Sequence, residues 1–246
     1  MTEDTPPDVC VVTQPLSAAG ERISLNLLEI LSAITGVSLM TASVPADSQL
    51  RDQYEIVEVS KAGTGTNILV AAVRFILNQL RMSNRIRYRE EEVILFFGPT
   101  AYLIPILFAK LIGKTVVLQP RGDVPLTLRL HWEERIPVPL ARFLAGTVWL
   151  LERIGFELAD HIITYTPAMA EELGLESYRS KLHTSGARYI DTERFAPRQP
   201  FEDRERVVGF LGRLDEEKGI RTLAAVAQSL PDDVTFVFAG DGQLYE

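Results

Sequence analysis

Short apolar runs bounded by turn residues alternate along the chain with longer stretches in which aliphatics recur every three or four positions. Continuous runs suit fully buried parallel strands, and the longer period suits helices with one buried face. Val9 to Thr13 reads as the first strand. The loop Gln14 to Gly20 leads into a helical pattern that puts Ile23, Leu27, Leu28, Leu31 and Ile34 on one face, with Gly36 as its stop. Val37 to Ala42 and Tyr54 to Val59 read as strands, Ile68 to Leu80 as a helix and Glu92 to Gly98 as a strand. Ala101 to Ile112 is an apolar helix closed by Gly113, and Thr115 to Gln119 is the next strand. Pro139 to Leu158 is a long helix and His161 to Thr166 a strand. Pro167 stands where a first helical turn tolerates it, opening Ala168 to Leu173, and Lys181 to Thr184 is a weak strand.

From Arg188 to Arg206 the pattern changes. Pro197 and Pro200, many charges and few aliphatics mark a linker. The alternation then restarts with a strand Val207 to Leu211, a helix Glu216 to Leu230, a strand Val234 to Ala239 and the tripeptide Gly240-Asp241-Gly242. Strands alternating with helices predict an α/β fold with a mostly parallel sheet covered on both faces. The expected division is a full α/β domain over 1–190, a linker over 191–205 and only the first βαβ of a second domain over 206–246. That last piece is near the lower limit for independent folding and would leave strand edges and a sheet face uncovered.

Composition narrows the function classes. The 246 residues are 46% hydrophobic with a net charge of −8, so a packed core is easy to build and the basic footprint of a nucleic-acid binder is missing. A lone cysteine, Cys10, excludes an internal disulfide and fits a reducing compartment. The acidic start, Met1 to Asp8, carries neither a basic nor an apolar signal region, and Arg142, Glu152 and Arg153 interrupt the most apolar long stretch. The expected location is cytoplasmic, with any membrane contact peripheral.

The most specific segment is Val208 to Gly219, VGFLGRLDEEKG. A buried strand delivers Gly212 and Arg213 to its carboxyl end, where open α/β sheets bind ligands. Lys218 and Gly219 follow an acidic loop at the start of a helix. Arg213 and Lys218 can converge on an anion, a planar fork and a point charge that both suit phosphate. The competing reading pairs them with Asp215, Glu216 and Glu217.

These residues resemble the start of the second domain of family 4 glycosyltransferases, which have the GT-B fold. VTFVFAGDG, Val234 to Gly242, continues the resemblance in register. Ala159-Asp160-His161-Ile162-Ile163 is similar to the family's strand opening, and Asp191, Phe195 and Pro197 are similar to its linker. The resemblance implies retaining transfer of a sugar from a nucleotide-sugar donor to a glycan or lipid-linked acceptor, without a metal or other cofactor. It implies that Arg213 and Lys218 hold the donor diphosphate and stabilise the charge on the departing nucleoside diphosphate. It also implies a second domain continuing beyond Glu246. A catalytically incomplete fragment, or an acceptor-binding subunit paired with a separate donor chain, is therefore the alternative.

Further candidates lie in the first domain. The family's Gly-rich first loop corresponds to Pro15 to Glu21, where Gly20 remains; a plain strand-to-helix turn capped by Ser17 is the alternative. Arg121, in Gln119-Pro120-Arg121-Gly122-Asp123, and Gly98, in Gly98-Pro99-Thr100, end successive strands and could line the same cleft; Gly212 and Gly240 do so in the second domain. Arg74, Arg81 and Arg85 share one helical face, with Ile76, Leu77 and Leu80 opposite, as in a basic helix resting on anionic lipid or a solvated face balanced by Glu90 to Glu92. Cys10 reads as core, and His131, His161 and His183 lack metal-ligand spacing.

Overall fold

The computed structural model describes residues 6–60, 68–184, 192–193 and 195–245. Asp191 of the linker motif lies outside the described residues. The chain divides into two compact units, Met1–Tyr189 and Ile190–Glu246.

The first unit is built on a seven-stranded sheet. Its strands are β1 (Val9–Thr13), β2 (Val37–Thr41), β3 (Glu55–Glu58), β4 (Val93–Phe97), β5 (Thr115–Gln119), β6 (His161–Thr164) and β7 (Leu182–Thr184). All pairings are parallel, in the order β3-β2-β1-β4-β5-β6-β7. Val12 pairs with Met40 on one side and Phe96 on the other, so the chain reverses its direction of travel across the sheet between β1 and β4. That reversal leaves a crevice at the carboxyl ends of those strands.

Two apolar layers clamp the sheet. One contains Cys10, Val12, Met40, Ile94, Phe96, Leu118 and Ile162, covered by α3 (Ile68–Ile86), α4 (Leu103–Leu111) and α6 (Val138–Leu158). The other contains Val11, Leu39, Leu95, Phe97 and Val117, covered by α1 (Ala18–Ser32) and the short α2 (Leu50–Gln53). Alternate residues of each strand thus face opposite layers, which is why the strands read as unbroken apolar runs. Burial pushes the Cys10 thiol up to about 11, and it packs as core.

Several helices depart from their sequence reading. Of the expected first-helix face, Leu28 is buried and Leu27 and Leu31 pack half-buried against the second layer, whereas Ile23 and Ile34 face solvent and Ser24 is buried instead. The helix ends at Ser32, and Gly36 is not its stop, since its φ is not positive. Gly36 instead makes room for Asp8: its amide donates to Asp8 Oδ1 at 2.9 Å, and a Cβ there would lie 2.5 Å from that oxygen. Helix α3 runs to Ile86 and buries Gln79, Met82, Ser83 and Ile86, leaving Ile76, Leu77 and Leu80 exposed. Gln79 is used in place: its Oε1 accepts from Ile104 N at 3.1 Å, supplying the first turn of α4 with a cap that Tyr102 does not provide. The sequence pattern does not announce α5 (Val124–Glu133), which Asp123 starts by accepting from Leu126 N at 2.8 Å. The short α7 (Pro167–Glu172) is capped in the same way by Thr166.

The second unit pairs β8 (Val207–Leu211) with β9 (Thr235–Ala239) in parallel, joined through α8 (Ile220–Gln228). Helix α8 does not begin at Glu216. A 3-10 turn over Glu216–Lys218 ends at Gly219, whose φ of +68° breaks the helical path before Ile220. Among its described residues Leu214 and Ile220 are the buried apolar ones, while Leu211 is 86% exposed.

Candidate functional site

In the first unit the candidates gather at the carboxyl edge of the sheet. The end of β4 passes into Gly98, whose φ is +98°, a backbone state costly for side-chain-bearing residues. Its amide donates to the Gln119 carbonyl at 3.0 Å, tying the ends of β4 and β5 together. A Cβ on Gly98 would lie 3.1 Å from Arg121 Cδ, so the glycine leaves space for the Arg121 stem. The Arg121 guanidinium lies 5.2 Å from the Phe97 ring centroid and is exposed above the strand ends. Gly98 and Arg121 are thus neighbours.

Gly20 sits differently. It lies inside the first turn of α1, where its amide donates to Ser17 Oγ at 3.3 Å. Its φ is not positive, and an added Cβ would meet only ordinary contacts, the nearest at 3.5 Å from Ser17 Oγ. Nothing in this geometry requires glycine, and Ser17 acts as the helix cap.

Sequence reasoning missed a carboxylate beside this edge. Glu152 projects from α6 and is 7% exposed. Thr100, fully buried two residues beyond Gly98, donates its hydroxyl to Glu152 Oε1. Burial pushes the Glu152 carboxyl up to about 7; the Thr100 hydrogen bond opposes this and the Asp123 charge adds to it. Glu152 lines a cavity of about 210 Å³ with Pro120, Asp123, Trp149, Arg153 and Phe156 among its walls. Arg153 directs its guanidinium to the carbonyls of Leu173 and Gly174 and lies 5.3 Å from the Trp149 ring centroid. The sequence cue for Glu152 is an acid inside a mostly apolar helix.

Asp160 is structural. It accepts from Lys110 Nζ at 2.6 Å and from Val116 N at 2.8 Å, joining α4, β5 and β6. His161 and His183 share a ring-nitrogen hydrogen bond of 3.1 Å across β6 and β7. Among the described residues, no group of three or more His, Cys, Asp or Glu side chains could hold a metal ion.

In the second unit, Gly212 and Gly240 follow the two strands and meet backbone to backbone. Gly240 has φ +149°, and a Cβ on it would lie 1.9 Å from the Gly212 carbonyl oxygen. The following loops are zipped together. Leu214 N donates to the Asp241 carbonyl at 2.9 Å, Leu244 N to the Leu214 carbonyl at 2.8 Å, and Gln243 N to Asp215 Oδ1 at 3.0 Å. Asp215 also holds Arg213 through a 2.8 Å ion pair, so for Arg213 the local acid pairing is realised. Lys218 is exposed and has no ion pair among the described residues. Glu216 pairs with Arg221, and the Glu217 side chain lies outside the described residues. The loop therefore presents one tethered guanidinium and one ammonium, with open space beside Gly219.

No known family profile matches this sequence, and no curated relative matches it. Solved structures do. The chain is similar to the apo form of the lipopolysaccharide outer core galactosyltransferase WaaB, with a TM-score of 0.61 and 12% identity over 96% of this chain and 61% of that one. It is similar to Anabaena Alr3699/HepE in complex with UDP and glucose, at TM-score 0.60 and 12% identity over 96% of this chain and 62% of that one. It is also similar to a putative UDP-N-acetylglucosamine 2-epimerase from Listeria monocytogenes, at TM-score 0.52 and 14% identity over 95% of this chain and 63% of that one. The fold is the α/β fold of GT-B glycosyltransferases, with the seven-stranded parallel sheet as one Rossmann-like domain. The chain spans about three fifths of the length of these neighbours, at 61–63%.

Proposed function

We propose that this protein is a glycosyltransferase that moves a sugar from a nucleotide-sugar donor to a glycan or lipid-linked acceptor with retention of configuration. The observation that carries this reading is the loop after β8, which brings Arg213 and Lys218 to a strand's carboxyl end, with Gly219 open beside Lys218. Such a loop suits a diphosphate, because two cations meet its charge. Arg213 and Lys218 bind the donor diphosphate and stabilise the negative charge that builds on the leaving nucleoside diphosphate. The Asp215 ion pair holds the Arg213 fork in place before the donor arrives. Gly240 keeps the adjoining backbone low beside Gly212. On the first unit, Gly98 and Arg121 line the sugar and acceptor side. The chain works at the cytoplasmic side.

A nucleotide-sugar panel monitored by thermal shift, followed by product analysis, tests this. A UDP-sugar or another nucleotide-sugar should raise the melting temperature and yield glycosylated acceptor with free nucleoside diphosphate. Epimerised donor in place of glycosylated acceptor assigns the other chemistry found on this fold. No stabilisation by any nucleotide-sugar removes the donor site.

One observation favours a second reading, a split enzyme whose donor domain is completed by a partner chain. The strands of the second unit expose Val207, Val208, Leu211, Val237 and Phe238. Size-exclusion chromatography with products of neighbouring genes tests it. Co-elution supports the split enzyme, and a monomer that turns over donor alone refutes it.

A further inference from the structure

The cavity of about 210 Å³ that Glu152 lines is walled by the loop after β5, by α6 and by the end of α7. It holds about seven water-sized groups, at ~30 Å³ for each. Its wall carries four acids: Asp123 from the loop, Glu152 from α6, and Glu171 and Glu172 from α7. Among the described residues none of the four forms an ion pair. Glu152 is 7% exposed and only half used. Its Oε1 accepts from Thr100, whereas its Oε2 has no hydrogen-bond partner among the described residues. That oxygen is not sealed off by the packing, and it is left to the cavity.

Arg153, the cation among the described wall residues, is committed elsewhere. Its guanidinium donates to the carbonyls of Leu173 and Gly174 at the end of α7. It also lies 5.3 Å from the Trp149 ring centroid and 5.9 Å from that of Phe156. Arg153 thus braces the aromatic wall instead of neutralising the acids. Nor do the acids converge on a point: among the described residues no group of three or more could hold a metal ion. They surround a volume, and ionised carboxylates only accept hydrogen bonds. A ligand that complements these walls brings N–H donors, positive charge and an apolar body to meet Trp149 and Phe156. An anion is repelled there, and a neutral polyol leaves the wall charge uncompensated.

We infer that this cavity binds a compact organic cation, a primary ammonium on an apolar body, with Glu152 Oε2 accepting from the ammonium and the exposed Glu171 and Glu172 drawing it in. Such a ligand is coupled to a proton. Burial pushes the Glu152 carboxyl up to about 7, with Asp123 adding to the rise and Thr100 and Arg153 opposing it. An ammonium beside the carboxyl favours its ionised form, so binding expels the proton and strengthens as pH rises through 7. The charged groups that share the cavity with Glu152 are Asp123 from the loop, Arg153 from α6, and Glu171 and Glu172 from α7. The loop after β8 contributes no residue to the cavity, so this site and the donor site succeed or fail separately.

Probes of one size and different charge test it on the full chain: cyclohexylammonium, cyclohexanol and cyclohexanecarboxylate. Trp149 reports binding by fluorescence in a Trp132→Phe background, which leaves a single indole. Cyclohexylammonium should bind, and the alcohol and the carboxylate should not. Its affinity should rise between pH 6 and pH 8, where the amine stays charged. Glu152→Gln should lower that affinity by about 10- to 100-fold, the loss of a hydrogen bond to a charged group, and flatten its pH dependence. Glu171→Gln with Glu172→Gln, at two exposed positions, should weaken it by about threefold without touching the core. Glu157→Gln, exposed on α6 outside the cavity, should leave it unchanged. Equal binding of cyclohexanol overturns the site, as does the absence of any response to the amine at millimolar concentration. So does an amine affinity that is independent of pH, or one that both the Glu152 variant and the paired α7 variant leave intact.

Discussion

Thr100, at the end of β4, donates its hydroxyl to the carboxylate of Glu152 on α6, fastening the helical layer to the strand ends. The pair sits beside Gly98 and Arg121, so the rigidity of the sheet's carboxyl edge depends on a buried acid.

That acid makes stability depend on pH. Burial raises the Glu152 carboxyl from 4.5 to about 7. Between those values the folded protein holds a proton that the unfolded chain has released, so stability falls as pH rises through this window. The full effect is at most ~3 kcal/mol. Glu152→Gln keeps an acceptor for Thr100 without the charge, and urea unfolding at pH 5 and pH 8 should show a flatter pH dependence in the variant. An unchanged slope would place the titration elsewhere.

Acid stability should depend on a different cluster. Burial of Glu91 would raise its pKa, but hydrogen bonds from Arg89 and Ser38 outweigh that and hold it down to about 2. Its stabilisation is present above pH 4.5 and is lost as pH falls toward 2. Arg89 also reaches Glu55, linking the amino end of β3 to the loop before β4. Arg89→Met should destabilise the fold by about 3 kcal/mol, the scale of a broken, partly buried pair. Chemical denaturation at neutral pH reads this directly.

Two glycines should respond oppositely to alanine. Gly240→Ala places a Cβ against the Gly212 carbonyl at a positive φ and should cost about 2 kcal/mol or more, with loss of amide protection in the second unit. Gly20→Ala puts a better helix former in the first turn of α1 with room to spare and should stabilise by about 0.5–1 kcal/mol. Hydrogen exchange and thermal melts of the two variants distinguish these outcomes.

Removing either loop cation should weaken nucleoside-diphosphate binding by about 1.5–3 kcal/mol. Asp215→Asn should act indirectly, by weakening the ion pair that orients Arg213 and loosening the contact with Gln243. Titration calorimetry with UDP measures all three variants, and unchanged affinity in both Arg213→Ala and Lys218→Ala removes those cations from the site.

The alternation of apolar runs with helical periods was enough to determine the parallel α/β architecture, because strands buried on both faces leave no polar alternation and must be covered by helices. The candidate loops were legible where glycine and charge interrupt the end of an apolar run, as at Gly98 and Gly212. Tertiary structure alone decided which side of each helix is inside. In α3, satisfied polar groups at Gln79 and Ser83 turn inward to serve α4 and the helix backbone, and Ile76, Leu77 and Leu80 are left outside. It alone paired Thr100 with Glu152 and Gly212 with Gly240, which are far apart in the chain. A one-dimensional pattern reports which residues favour burial, but the partners that make burial of a polar group affordable are chosen only when distant segments pack.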